Sequence, residues 1–484
     1  MLLALAILFP LLSASVVTCL RKAKQSVLLV LSVILQIFTS ALLIAVTLLP
    51  RDTLTLFHIS NKIEVAFCSD GIAKLFCVLI AIGWMLAILY SSVYMKQKKS
   101  EPRFYTYIFL SEAAIVGATL SSELVTMFVF CILLTLTSLP LISHDSSRES
   151  IRAANKYLGY SICGFALALF GIFVLLGAAA PLTFTSGGVG LVPSTLTLSA
   201  ILCSVLGYGT MAGLYPLHGG IMAAIPKSPI PASLLLSALI PKAGVLAIIR
   251  TVYFIADPKL LKGTWVQTVL LVFTLISILA GVALSHSERC LKKRLAHLTV
   301  SRVSCALIGL FLFTELGLKG AVLQIVFHAA AKTVLLLFAG AVISLVGATE
   351  TNLLYGVGRR LPIVTSAFTV ASLSLIGIPP TGGFLSTFTL ATAALDGLSA
   401  PFSYIVPAVL LLSALLTAGS LLSISVHAFY PGEKINPAFI EPKTKKEPIL
   451  LVLPAVLLAV FSLLCGIPMG VDLGIADLIV GTIM

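Results

Sequence analysis

SVLLVLSVILQIFTSALLIAVTLL, residues 26–49, holds no ionisable side chain, and Arg21, Lys22 and Lys24 precede it while Arg51 follows. At 1.5 Å per residue a helix of this run is about 36 Å long, enough to cross the roughly 30 Å of bilayer hydrocarbon. The rest of the chain repeats the pattern. Of 484 residues, 59% are hydrophobic and 10% charged, and the mean hydropathy is +1.12. Soluble domains carry about 25% charged residues, so this chain has too few to cover a water-facing surface. The apolar runs are long and unbroken, which excludes the alternating ten-residue segments of a β-barrel. The composition defines an all-α integral membrane protein.

Further runs of spanning length lie near 2–19, 72–94, 104–121, 124–143, 157–181, 195–217, 229–249, 264–286, 296–314, 319–346, 362–395, 403–429 and 449–470. The expectation is therefore about fourteen transmembrane helices. The first begins apolar, with no basic region and no small-residue cleavage motif, and reads as a retained span. Lys and Arg sort by side. With the N-terminus outside, 21 fall in inner loops and 6 in outer ones (Arg51, Lys62, Arg250, Lys259, Lys262 and Lys319). That positive-inside bias predicts a multi-pass protein of the cell membrane with both termini on the outer side. The net charge of +13 serves this orientation, and a nucleic-acid partner is not expected.

Two spans contain helix-breaking sequence. The seventh closes with Gly213-Leu214-Tyr215-Pro216-Leu217-His218-Gly219-Gly220, and the twelfth is interrupted by Gly377-Ile378-Pro379-Pro380-Thr381-Gly382-Gly383. Pro removes a backbone donor, and freed carbonyls at membrane depth need protein or a wet cavity. Paired breaks of this kind point to an ion or substrate path, although Pro and Gly are also simply commoner in membrane helices.

An ionisable residue inside a span needs a partner, water or a function. Lys242, beside Pro241 in the eighth span, reads as a lysine that takes up and releases a proton. The plainer alternative, snorkelling to an interface, is hard from mid-span. His328 and Lys332 are four apart, on one helix face, with three alanines between them. A proton relay and an ordinary helix–helix contact are both open for this pair. Glu112 is the most deeply placed acid, able to counter Lys242 or to sit protonated. Asp70 and Lys74, also four apart, are expected to pair, and Glu123 and Glu315 read as interfacial. No hydrolase, zinc-protease or P-loop motif is present, and the nine cysteines form no C-x-x-C pair. Neither a catalytic residue, a metal site nor a cofactor is expected in this chain.

The chain resembles the antiporter-like subunits shared by respiratory complex I, Mrp cation/proton antiporters and membrane-bound energy-converting hydrogenases. Several stretches carry the likeness: Asp70-Gly71, Arg152-Ala153-Ala154-Asn155-Lys156-Tyr157-Leu158, Gly207-Tyr208-Gly209 with Ala212 to Gly219, and Leu291 to Ala296 with Thr299-Val300-Ser301. His328 with Lys332 and Gly377 to Pro380 with Gly383-Phe384-Leu385-Ser386 complete it. The resemblance implies three leading helices in 1–103, inverted five-helix repeats in 104–249 (spans 4–8) and 264–429 (spans 9–13), and a last helix in 449–484. It implies proton or Na+ translocation through Lys242, His328, Lys332 and Glu112, beside the broken-helix residues Pro216, His218, Pro379 and Pro380. The implied partners are other antiporter-like and small membrane subunits, lipids, and peripheral iron–sulfur or hydrogenase-like subunits in redox-driven members. Three family charge positions are replaced here: the fifth-helix Glu by Ile132, the seventh-helix Lys by Met211, and the twelfth-helix Lys or Glu by Thr387. Losing both members of an ion pair strands no charge. An ion-conducting subunit and a transport-incompetent spacer therefore both remain open.

Overall fold

A computed structural model describes residues 1–60, 63–95, 101–436, 447, 449–466 and 474–483. Chain contacts divide it into two compact units, residues 1–270 with 478–484, and residues 271–477. Eleven helices among the described residues are long and apolar enough to cross a membrane. The other three expected spans fall on α4, on the broken α15/α16 and on α18.

The first unit runs α1 (Leu2–Cys19), α2 (Gln25–Leu48), β1 (Thr53–Ser60), β2 (Ile63–Cys68), α3 (Gly71–Tyr94) and α4 (Glu101–Leu120). It continues with α5 (Leu124–Ile142), α6 (Arg148–Ala178), α7 (Thr195–Ala212), α8 (Gly219–Lys227), α9 (Ile230–Ala238) and α10 (Ile240–Ile249). A π-turn over Arg250–Ala256, α11 (Pro258–Leu261) and the start of α12 (Trp265–Ser287) follow. Polar caps set several starts: the Ser147 hydroxyl accepts from the Ser150 N–H, Ser194 from Thr197, and Asp70 from Ala73. α1 packs on α4 and α2, α6 on α7 and α8, and α10 on α7. Every residue from 230 to 256 is buried, the polar Ser233, Ser237, Lys242, Arg250 and Thr251 included.

The antiparallel β1–β2 hairpin departs from the all-α expectation. Its run Thr-Leu-Thr-Leu-Phe-His-Ile-Ser alternates with period two on either side of the Leu56–Phe57 step, a signal outweighed by the longer apolar runs around it. Glu123, expected at an interface, is fully buried beneath β2. Its Oε2 accepts from the Glu64 N–H at 3.1 Å, and Thr126 donates to the Glu64 carbonyl. Burial pushes the Glu123 carboxyl up to about 7, against the pull of that N–H.

The expected Asp70–Lys74 pair does not form. Lys74 donates to the Leu49 carbonyl, and Asp70 takes both arms of Arg250, one at 2.9 Å. Arg250, expected in an outer loop, is 1% exposed at the head of the π-turn, its guanidinium 4.7 Å from the rings of both Phe184 and Phe254. Burial raises the Asp70 carboxyl, but the charge and hydrogen bonds of Arg250 outweigh this and hold it below the usual range. Spacing within one helix suggested Lys74; a residue 180 positions away supplies the planar fork that fits a carboxylate.

The second unit holds most of α12, then α13 (Leu291–Phe311), α14 (Glu315–Val346), α15 (Pro362–Ile376), α16 (Gly382–Gly397), α17 (Phe402–Phe429) and α18 (Ile449–Leu464). α19 (Gly474–Ile483) begins in it and ends in the first unit. α14 packs against α13, α16 and α15. The loop cations Lys62, Lys96, Lys98, Lys99, Lys443, Lys445 and Lys446 lie outside the described residues.

Two measurements test these contacts. Asp70→Ser keeps a helix cap but strands the Arg250 charge, and should cost about 3–5 kcal/mol. Asp70→Ser with Arg250→Met should recover most of that in thermal unfolding in detergent. Equal losses would remove the ion pair from the account. For Glu123, a folded pKa above the unfolded one gives stability that is present at acid pH and lost as pH rises through about 7. Hydrogen-exchange protection of the 63–68 amides, corrected for intrinsic rate, should therefore fall between about pH 5 and pH 8. In Glu123→Gln it should stay level, and a fall of the same size there would contradict the assignment.

Candidate functional site

The two expected helix breaks have the same local geometry. α7 ends at Gly213 (φ +88°) and α15 at Gly377 (φ +87°), both in the left-handed conformation that glycine adopts without steric cost. Past each glycine the chain makes the same closing bond: the Leu214 N–H to the Gly209 carbonyl at 2.8 Å, and the Ile378 N–H to the Leu373 carbonyl at 3.1 Å. This is the six-to-one bond of a Schellman end. Tyr215 stacks on His218 at 5.0 Å and Pro216 is exposed. In the second unit Pro379 and Pro380 follow Gly377, and α16 restarts at Gly382.

A third break bears on Lys242. Leu239 (φ −124°, ψ −50°) interrupts the eighth span, and Pro241 lies in the first turn of α10. Lys242 is 2% exposed, and its Nζ donates to the Ser237 carbonyl at 3.4 Å, across this break. The helix lies tight against α7: a Cβ at Gly244 would stand 2.6 Å from the Ala212 nitrogen. Met211, which the resemblance set at the family's lysine position, is buried, and Ile132 is partly exposed. Glu112 is fully buried, and its Oε1 accepts from Gln36 Nε2 at 2.7 Å. Glu112, for which countering Lys242 was one of the open roles, takes an amide from α2. Gln36 was legible only as the one amide side chain in the run 26–49, among serines and threonines.

In the second unit, Gln324, His328 and Lys332 recur at intervals of four along α14. Both His328 and Lys332 are buried, and the Lys332 Nζ donates to the Leu295 carbonyl of α13. Arg302, on α13, is 1% exposed and donates to the Ser413 carbonyl at 3.3 Å and to the Thr417 hydroxyl on α17. Its own carbonyl accepts from Gln324 Nε2 at 3.4 Å. Gln324 Oε1 accepts from the Ser386 hydroxyl at 2.7 Å, and the Gly383 carbonyl beside the break, 3.0 Å from the same hydroxyl, is its alternative acceptor. A polar chain thus runs from α17 through α13 and α14 to the restart of the broken helix. Thr387 stands one residue along, with its hydroxyl bonded to the Gly383 carbonyl. Arg302 lies inside the expected span 296–314, where its charge alone names no partner. The four-residue step from Gln324 to His328 was the available signal.

These features define a class: a polytopic α-helical membrane protein with broken helices and several buried cations, Lys242, Lys332 and Arg302 on backbone carbonyls and Arg250 on a carboxylate. Residues 121–417 match the family described as NADH:quinone oxidoreductase/Mrp antiporter, transmembrane, and the chain belongs to that family. It is 28% identical to NADH-quinone oxidoreductase subunit N of Desulforudis audaxviator, over 75% of this chain and 72% of that one. It is also 28% identical to a Na(+)/H(+) antiporter subunit of Bacillus subtilis, over 86% and 83% of the two chains. Its fold matches a chain of the Mrp complex from Dietzia sp. with a TM-score of 0.86, at 22% identity, covering 100% of this chain and 98% of that one. The expected kinship with complex I, Mrp and hydrogenase membrane subunits holds.

The polar chain predicts a coupling. Thr417→Val removes an acceptor from a buried guanidinium and should cost about 1.5–3 kcal/mol. In an Arg302→Met background the same change should be nearly neutral. Additive losses in thermal unfolding would exclude the contact as a stabilising one.

Proposed function

We propose that this chain is an antiporter-like subunit of a multi-subunit ion-translocating membrane assembly and that it carries protons or Na+. The first unit carries them by way of Lys242, with Glu112 as an accessory acid, and the second by way of His328 and Lys332. The observation that carries this reading is the placement of two lysine amines deep in the protein, each resting on a backbone carbonyl, one of them at a helix break. A backbone carbonyl can hold either the ammonium or the neutral amine, and water reaching the break beside Lys242 would let that amine exchange its proton. The Gln324–Arg302–Thr417 chain extends polar surface from the second break into α13 and α17 and supplies further acceptors. The positive-inside distribution supports placement in the cell membrane with both termini outside. Kinship with subunits of quinone reductases and Na+/H+ antiporters supports partner membrane subunits, with peripheral redox subunits in an assembly driven by electron transfer.

A second reading has its own support. Ile132, Met211 and Thr387 replace three charges of the family pattern, which favours a spacer that positions its neighbours and conducts nothing. Lys242→Met and Lys332→Met in the intact assembly separate the two. Conduction requires ion transport in reconstituted vesicles to fall about tenfold or more in each variant, the effect of losing one relay group worth more than about 1.4 kcal/mol. Unchanged transport in both, with assembly intact, would leave the spacer.

A further inference from the structure

A groove of about 590 Å³ runs along α6 beside the end of α7, lined by Gly159, Tyr160, Cys163 and Leu167 with Thr210 and Leu217. Its walls are almost wholly apolar, and its one charged lining residue, Lys156, stands at one end. That end lies where α6 changes character. Arg148, Glu149, Arg152 and Lys156 occupy the first turns, and from Tyr157 to Ala178 the helix holds no charge. Lys156 therefore marks the boundary between water and hydrocarbon, and the groove continues from it to acyl-chain depth. Arg152 is one turn nearer the water, on the same face. Glu149, in the first turn of α6, pairs with Lys227 and also lies within the field of Arg152. Gly159 leaves the floor open, with nothing within 4 Å of where a Cβ would stand, and Cys163 is exposed.

We propose that this groove binds one anionic phospholipid, its phosphate on Lys156 and Arg152 and one acyl chain laid along Gly159, Cys163 and Leu167. An apolar trench closed at the interfacial end by cations is complementary to an amphiphile with a negative head. Tyr160, beside Lys156, is the residue type that sits at headgroup level. The other wall belongs to the turn after α7: a Cβ at Gly219 would run into the Tyr160 ring. A lipid seated here would therefore touch the seventh-helix break from outside. The proposal does not depend on whether the chain conducts ions.

The test uses the intact assembly reconstituted in phosphatidylcholine with phosphatidylglycerol bearing a diazirine in its acyl chain. Crosslinks should map to α6 around Cys163 and Leu167, and unlabelled phosphatidylglycerol should compete where phosphatidylcholine and inorganic phosphate do not. Lys156→Glu should lower the yield about fivefold or more, the factor expected for one interfacial cation. Gly159→Leu, which has room for its side chain, should abolish the crosslinks with the fold intact. Labelling indifferent to headgroup and to Lys156→Glu would mean ordinary surrounding lipid and overturn the proposal. So would an unlabelled groove whose Cys163 stays shielded from maleimide after delipidation, because a neighbouring protein would then fill it.

Discussion

Inside a bilayer no water is available to solvate a charge or an open carbonyl, so each must find its partner in the protein. That requirement organises this molecule. Lys242, Lys332 and Arg302, all buried, each donate to a backbone carbonyl: Ser237, Leu295 and Ser413. Arg250 instead takes a carboxylate, Asp70, between two aromatic rings. The difference divides the buried cations by kind. Arg250 with Asp70 is a closed, neutralised pair at a helix cap and suits a structural clamp. The other three have a backbone carbonyl among their partners.

The broken helices follow from the same requirement. A helix that stops inside the membrane exposes carbonyls, and here the chain doubles back on itself through a left-handed glycine and a six-to-one bond at Gly213 and again at Gly377. These ends satisfy part of the freed backbone and leave the next turns, with His218 on one side and Gly383 to Thr387 on the other, open to side-chain chemistry. In the second unit Ser386 uses that opening to join Gln324, and through it Arg302. Thr387, bonded to the Gly383 carbonyl, thus falls beside a position wired into a polar network.

Much of this was legible in the order of residues. The apolar runs and their breaks follow from counting, because membrane thickness and the chemistry of Pro and Gly act locally. The burial of Lys242, His328 and Lys332 followed from their distance to the nearest charged loop. The spacing of four that placed His328 with Lys332 also held Gln324, which lacked only a reason to be noticed. The same spacing failed for Asp70 and Lys74, since adjacency on one helix face cannot compete with a bidentate guanidinium delivered by tertiary contact.

The sequence by itself determined that this is a helical membrane protein, where its helices break, and which few ionisable groups lie at depth, since each depends on runs of about twenty residues or fewer. Only the tertiary structure decided the partners. It gave Glu112 to Gln36, Asp70 to Arg250, Lys332 to the carbonyl of Leu295, and Arg302 to α17. A side chain's partner depends on which helices stand next to one another, and residues 76 to 180 positions apart met in unit one only because the bundle packed them together.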